Sequence, residues 1–102
     1  MSSANNRSNI QVLQTPLFAR QKKKLRKNQI IELDKAVKEI IMNPNIGEQK
    51  KGDLIDIWVY KFRVSKHLYL LAYKWDNKSR ILIALGTHEN FYRDLKKYKK
   101  RI

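Results

Sequence analysis

The stretch LIDIWVYKFRVSKHLYLLAYKWDNKSRILIALG, residues 54–86, decides the fold of this chain. It contains three runs that are rich in β-branched and aromatic residues, namely LIDIWVYKFRV, HLYLLAYKW and RILIALG. Short polar links, which typically join antiparallel neighbours, separate these runs. The second half of the chain therefore predicts a meander of three antiparallel strands.

The first half of the chain has a different period and predicts one strand followed by two helices. Residues 10–14, IQVLQ, read as a short strand. Thr15 and Pro16 form a helix-start signal, because Thr caps free amides and Pro presets φ. Apolar residues at three- and four-residue spacing then define the stripe of a second helix, namely Ile30, Leu33, Val37, Ile40 and Ile41. Asn43-Pro44 ends that helix.

Length and composition agree with a single α+β domain. The 102 residues suffice for one modest core. The small polar residues 1–9 predict a disordered lead-in. Residues 10–102 predict one domain with an N-terminal strand, a two-helix hairpin, a small sheet formed by the three-stranded antiparallel meander, and a short C-terminal helix.

Several site chemistries find no support in the sequence. The chain has no cysteine, which excludes disulfides and thiolate metal sites. The two histidines, His67 and His88, do not stand at a metal-binding spacing. Neither a glycine-rich nucleotide loop nor a GxSxG motif is present. We therefore expect a protein that uses no metal and no cofactor.

The net charge indicates the class of partner. Lys and Arg number 23 against 9 Asp and Glu, which gives +14. Such a surface attracts polyanions, and nucleic acid is the leading candidate because bound cations release its condensed counterions. The N-terminus lacks a signal-peptide pattern, and no apolar stretch approaches the roughly 20 residues that span a bilayer. We expect a cytoplasmic protein with no membrane partner.

The strand segment VYKFRV carries two cations on one face. Alternation places Lys61 and Arg63 on the same side, after the apolar Ile55, Ile57 and Val59. Two cations at the end of an apolar face favour the rim of a phosphate-binding groove. The alternative is a half-exposed strand that carries solvated charges.

The segment GTHENFYR, residues 86–93, brings proton-handling groups together after the last predicted strand. Histidine exchanges protons at cellular pH, so His88 is a candidate acid or base. Tyr92 can donate a hydrogen bond, and Arg93 can hold a phosphate oxygen. In the alternative interpretation, His88 is a surface or capping residue and Glu89 is a favourable acid in the first turn of a helix.

Three stretches resemble the RelE/ParE superfamily of type II toxin–antitoxin toxins. The link NPNIGEQKKGDL is similar to the family's Pro, Gly and Gly-x-Leu pattern through Pro44, Gly47, Gly52 and Leu54. The strand pair VYKFRVSKHLYLLAY and the ending LIALGTHENFYRDLKKY also match, and the last is the most specific. The resemblance extends from Ile10 to the end of the chain.

The resemblance to the RelE-like branch implies an endoribonuclease that cleaves mRNA on the translating ribosome without a metal. It assigns phosphate binding and proton transfer to Lys61 and Arg63, and further catalytic roles to His88 and Tyr92. Leu70 stands where the family often has an arginine, a charge that Arg63, Lys66 or Arg93 could supply. The implied substrate-binding residues are Lys66, Arg93, Lys96 and Lys97.

The same resemblance names the partners and leaves two alternatives open. The implied partners are a cognate antitoxin protein, mRNA, and the ribosome around the A-site region of its 16S rRNA. ParE-like members share the fold but inhibit DNA gyrase. A non-catalytic basic module that binds RNA or the ribosome would also explain the charge. A His and a Tyr beside strand cations favour the ribonuclease.

Overall fold

A computed structural model describes residues 9–54 and 56–100. The predicted lead-in, residues 1–9, lies outside this part of the chain except for its last residue, and Ile55 also lies outside it. Along the chain the strands and helices are β1 (Gln11–Gln14), α1 (Pro16–Lys23), α2 (Lys27–Met42), β2 (Glu48–Gln49), β3 (Trp58–Val64), β4 (His67–Trp75), β5 (Ser79–Thr87) and α3 (His88–Lys100). The predicted order of elements and the α+β class are confirmed.

The strands form one sheet in the order β1-β5-β4-β3-β2. The predicted meander is the antiparallel centre of this sheet, and β1 pairs in parallel with β5. The second run of the sequence is a strand along its full predicted length, from His67 to Trp75. The two-residue strand β2, which pairs with the start of β3, was not predicted.

The first predicted run is a strand only in its second part. The chain enters a 3-10 turn at Gly52–Leu54, and β3 starts at Trp58. Gly52 has φ +68, a left-handed conformation that favours glycine and turns the chain before the strand begins. His67 is the first residue of β4 and lies opposite Val64.

Thr15 fixes helix α1 to the sheet. Its hydroxyl oxygen accepts a hydrogen bond from the amide of Phe18 at 3.0 Å, which confirms the predicted cap. The same hydroxyl donates to the carbonyl of Ile83 on β5 at 2.6 Å. One buried side chain therefore caps α1 and sets its position against the central strands.

Helices α1 and α2 cover one face of the sheet. Phe18 of α1 and the buried residues of α2 form a core cluster with Tyr73 and apolar residues of β4 and β5; its helical members are Phe18, Leu33, Ala36 and Ile40. The aromatics Trp58, Tyr69 and Trp75 pack against this cluster. These aromatic rings therefore contribute to the core on this face of the sheet.

Helix α3 covers the opposite face. Phe91 and Leu95 are buried there against Ile57, Val59 and the central strands. The sheet is therefore enclosed by helices on both sides. No helix within the described ranges is long and apolar enough to cross a membrane.

Arg80 joins the C-terminal end of α2 to the turn between β4 and β5. It is 4% exposed, and burial lowers the pKa of its guanidinium. The guanidinium donates to the carbonyls of Ile40 at 3.2 Å and Ile41 at 2.9 Å, which lie at the helix end. It also donates to the carbonyls of Asp76 and Ser79. A buried cation here satisfies carbonyls that a helix leaves free.

We expect Arg80→Met to lower the free energy of unfolding by about 2–4 kcal/mol, because it leaves buried carbonyls without donors. Chemical denaturation followed by circular dichroism measures the change. Lys78→Met removes the same charge from an exposed position of the same turn and should have little effect. Equal losses for the two variants would show that the carbonyl contacts of Arg80 are not what stabilises this junction.

Candidate functional site

The two predicted strand cations lie on the face of the sheet that α3 covers. Ile57 and Val59, at the start of this face, are buried in the core cluster beneath α3. Lys61 and Arg63 follow on the same face and are both exposed. The strand thus passes from apolar core to cationic rim, as the alternation of VYKFRV predicts.

The strand register connects these cations to the start of α3. Lys61 lies opposite Leu70, which lies opposite Gly86 on β5. Neighbouring strands are about 4.8 Å apart, so Lys61 and Gly86 are separated by about 10 Å across the sheet. A Cβ on Gly86 would lie 4.0 Å from the Cα and Cβ of Phe91. The α3 helix therefore folds back over the end of β5, close to the row that contains Lys61.

His88 and Tyr92 occupy the first turns of α3 at i, i+4 spacing, which places them on one side of the helix. Their ring centroids are 6.2 Å apart at an interplanar angle of 77°. His88 is exposed, whereas Tyr92 is half-buried and stands edge-on to Phe91 at 5.0 Å. The structure thus brings together the two proton-handling groups that the sequence analysis singled out.

Lys50 and Glu48 are further site residues that the sequence analysis missed. The Nζ atom of Lys50 lies 5.5 Å from the centroid of the Tyr92 ring, within the range of a cation–π contact. The same atom is 3.1 Å from Oε1 of Glu48. The β2 strand and the residue that follows it therefore add a cation and a carboxylate beside Tyr92.

Lys50 and Glu48 each shift the pKa of the other. Partial burial alone would lower the pKa of Lys50, but hydrogen bonds and charge interactions with Tyr92 and Glu48 outweigh it, so the pKa of Lys50 is raised. The hydrogen bond and charge of Lys50, with a smaller contribution from Lys61, lower the pKa of Glu48. Lys50 is thus held as a cation next to Tyr92, and Glu48 as a carboxylate between two lysines.

Tyr73 sets the position of β2. Its hydroxyl donates to the carbonyl of Pro44 at 2.7 Å and accepts from the amide of Gly47 at 3.0 Å, and burial raises the pKa of the phenol. The chain is closely packed here, since a Cβ on Gly47 would lie 2.5 Å from the Tyr73 hydroxyl and 2.9 Å from the carbonyl of Val59. The buried phenol therefore fixes the loop from which Glu48 and Lys50 extend.

A shallow cavity of about 310 Å³ opens next to Lys61. It is bordered by the β2 segment on one side and by β3 on the other, including Gly47, Glu48 and Tyr60. A cavity of this size at a cationic strand end can admit part of a polar ligand. Within the described residues, no group of three or more His, Asp and Glu side chains is arranged to hold a metal ion.

The residues predicted to bind substrate lie on two parts of the fold, the turn between β3 and β4 and helix α3. Lys66 is exposed in the turn between β3 and β4. Arg93 is exposed on α3, with its Nε 3.8 Å from a carboxylate oxygen of Asp94. Lys96 is exposed on the same helix, whereas Lys97 lines a separate groove between α1 and α3. These positions leave the substrate-binding roles as predictions.

The model of one protein family, described as the ParE-like toxin of type II bacterial toxin–antitoxin systems, matches residues 12–96. The chain belongs to this family. The match includes β2, β3, β4, β5 and helix α3 as far as Lys96. No curated protein sequence matches the chain significantly.

Solved structures share the fold of this ParE-like toxin. A double arginine-to-alanine mutant of Escherichia coli toxin RelE in the free state is 24% identical, with a TM-score of 0.71, and 92% of this chain and 98% of that chain are covered. A chain of the intact E. coli RelBE toxin–antitoxin complex is 24% identical, with a TM-score of 0.64, and 78% of this chain and 98% of that chain are covered. A YoeB/ParE toxin from Agrobacterium tumefaciens is 14% identical, with a TM-score of 0.58, and 78% of this chain and 99% of that chain are covered.

We expect Gly47→Ala to lower the free energy of unfolding by about 1–3 kcal/mol, because the added methyl overpacks the contact between the β2 loop and Tyr73. Chemical denaturation of the single variants and of Gly47→Ala/Tyr73→Phe measures the coupling. Tyr73→Phe removes the hydroxyl that the added methyl would approach most closely. The sum of the losses of unfolding free energy in the two single variants should therefore exceed the loss in the double variant. Strict additivity would contradict this account of the loop.

Proposed function

We propose that this toxin is an endoribonuclease that cleaves mRNA, with the translating ribosome presenting the substrate. The observation that carries the proposal is the placement of His88 and Tyr92 over the sheet face that bears Lys61 and Arg63. A proton-handling pair beside two exposed strand cations matches the needs of phosphodiester cleavage. A gyrase inhibitor that acts through protein contacts has no need of such a pair.

The reaction proceeds by attack of the RNA 2′-hydroxyl on the adjacent phosphorus. The bond from the 2′-oxygen to phosphorus forms, and the bond from phosphorus to the 5′-oxygen of the next nucleotide breaks. One base takes the proton of the 2′-hydroxyl, and one acid delivers a proton to the leaving oxygen. The products are a 2′,3′-cyclic phosphate and a 5′-hydroxyl. The substrate supplies its own nucleophile, so the mechanism requires neither a metal nor a covalent enzyme intermediate.

Some side chains of the site stabilise the charge of the phosphate, and others transfer protons or orient the reacting groups. Lys61 and Arg63 hold the negative charge that grows on the phosphate. His88 transfers a proton as acid or base, and Tyr92 orients the reacting group or stacks near the base. Lys50 holds Tyr92 in place and adds positive charge to the same corner.

A neutralising partner is part of the proposal. The family is that of toxins from type II toxin–antitoxin systems, and one similar solved structure is a toxin–antitoxin complex. With a net charge of +14, this toxin suits an antitoxin that is acidic in the part that wraps it. That partner would cover or distort the surface formed by Lys61, Arg63 and His88.

We expect His88→Ala to lower the rate of mRNA cleavage by about 10²- to 10⁴-fold, the usual contribution of a general acid or base, and to abolish toxicity. Cleavage of purified mRNA, with and without translating ribosomes, measures the rate. Wild-type cleavage should continue in EDTA and leave the cyclic phosphate or its opened product. His67→Ala, at an exposed position at the start of β4, is the matched control and should change little.

If His88→Ala cuts at the wild-type rate while folding normally, proton transfer belongs to Lys61, Glu89 or Tyr92, and the assignment to His88 is wrong. If the wild type arrests growth but cuts no RNA and inhibits gyrase supercoiling, the ribonuclease proposal itself fails.

We expect induced expression of the toxin alone to arrest bacterial growth, and co-expression with its cognate antitoxin to restore it. The reason is that an acidic antitoxin competes with RNA for the same cations. Colony counts after induction measure the effect. Uninterrupted growth at an expression level confirmed by immunoblot would contradict the toxin function.

A further inference from the structure

A second concave surface lies between α1 and the C-terminal half of α3. This groove, which we call the α1–α3 groove, has a volume of about 490 Å³, within the usual range of small-ligand pockets. Leu17 and Tyr98 form its apolar part, and both pack against the core cluster beneath α3. The core therefore holds the floor of the groove in place.

The walls of the α1–α3 groove are mainly cationic. Arg20 of α1 and Lys24, the residue that follows α1, line the groove together with Lys97 of α3, while Asp94 is the acid in the lining. The Asp94 carboxylate lies 3.8 Å from Nε of Arg93, so a nearby cation already offsets part of its charge. Three cations around an aromatic ring form the combination that binds single-stranded nucleic acid, in which phosphates meet the cations and a base stacks on the ring.

The groove stands in a definite relation to the candidate active site. Tyr98 follows Tyr92 by six residues, which places it about 9 Å farther along the helix axis and about 120° around it. The buried stripe of Phe91 and Leu95 lies between them on the side that faces the sheet. The exposed back of α3, on the other side of the helix, carries Arg93, Lys96 and Glu89. An RNA strand that leaves the active site can reach the groove by passing over this exposed back, where the basic Arg93 and Lys96 outnumber the acidic Glu89.

We propose that the α1–α3 groove binds single-stranded RNA of the same strand, beyond the nucleotides at the cleaved phosphate, with a base on Tyr98 and phosphates on Arg20, Lys24 and Lys97. The placement beside the site rests on the proposed ribonuclease function. Charge favours RNA over a protein segment as the occupant. Three cations of the groove, on a protein of net charge +14, attract a chain that carries one negative phosphate per nucleotide.

The test measures binding of a fluorescent single-stranded oligonucleotide that 2′-O-methyl groups protect from cleavage. The groove variant is Lys24→Gln/Lys97→Gln, and the matched control is Lys23→Gln/Lys38→Gln, which removes the same charge from exposed helix positions outside the groove. Loss of two phosphate contacts should flatten the slope of log affinity against log salt by about 1.4 in the groove variant only. Tyr98→Leu should weaken binding by about fivefold or more without changing that slope, because it removes stacking and not charge.

The outcomes separate the groove from the proposed reaction. Equal slopes for the groove variant and its control would overturn the proposal, since the groove cations would then be ordinary surface charge. Groove variants that bind the oligonucleotide like the wild type but lose the antitoxin would also overturn it and assign the groove to a protein partner. A wild type that cuts no RNA, but whose slope still depends on the groove pair, would contradict the proposed reaction and support the groove.

Discussion

The burial of Phe91 and Leu95 against the sheet is the contact on which the candidate site depends. The helix that carries them is otherwise polar and basic, and a helix of 13 residues is marginal in water without tertiary packing. Each of these buried side chains contributes about 1.5–3 kcal/mol to the packing. His88 and Tyr92 are held near the strand cations only while this face of α3 remains packed.

The excess of positive charge is the second constraint. The described side chains form three ion pairs, and the one at the candidate site joins Glu48 to Lys50. Charges closer together than about 8–10 Å repel one another in spite of physiological salt, so Lys61 and Arg63 on one strand face cost stability. The two-sided core offsets that cost. A bound polyanion removes it, which ties the binding of RNA or of an acidic antitoxin to the stability of this corner of the fold.

Sequence patterns predicted the parts of the molecule that depend on local chemistry. The cap at Thr15, the full length of β4 and the shared face of Lys61 and Arg63 all follow from spacing over a few residues. The short β2 strand has no period to detect, because only two residues pair with β3. Lys50 approaches Tyr92 across 42 positions of sequence, through a loop that Tyr73 holds. Such a contact depends on tertiary packing, so no local pattern could have indicated it.

The period of α3 explains how one short helix serves the core, the candidate active site and the groove at once. Residues three apart are displaced by about 60° around a helix, and residues four apart share a side. Phe91 and Leu95 form the central stripe toward the sheet. His88 and Tyr92 form a stripe on one flank, and Asp94 and Tyr98 form a stripe on the other flank. Each stripe is an i, i+4 pair, so the packing that buries the central pair also turns the two flanking pairs toward β2 and α1.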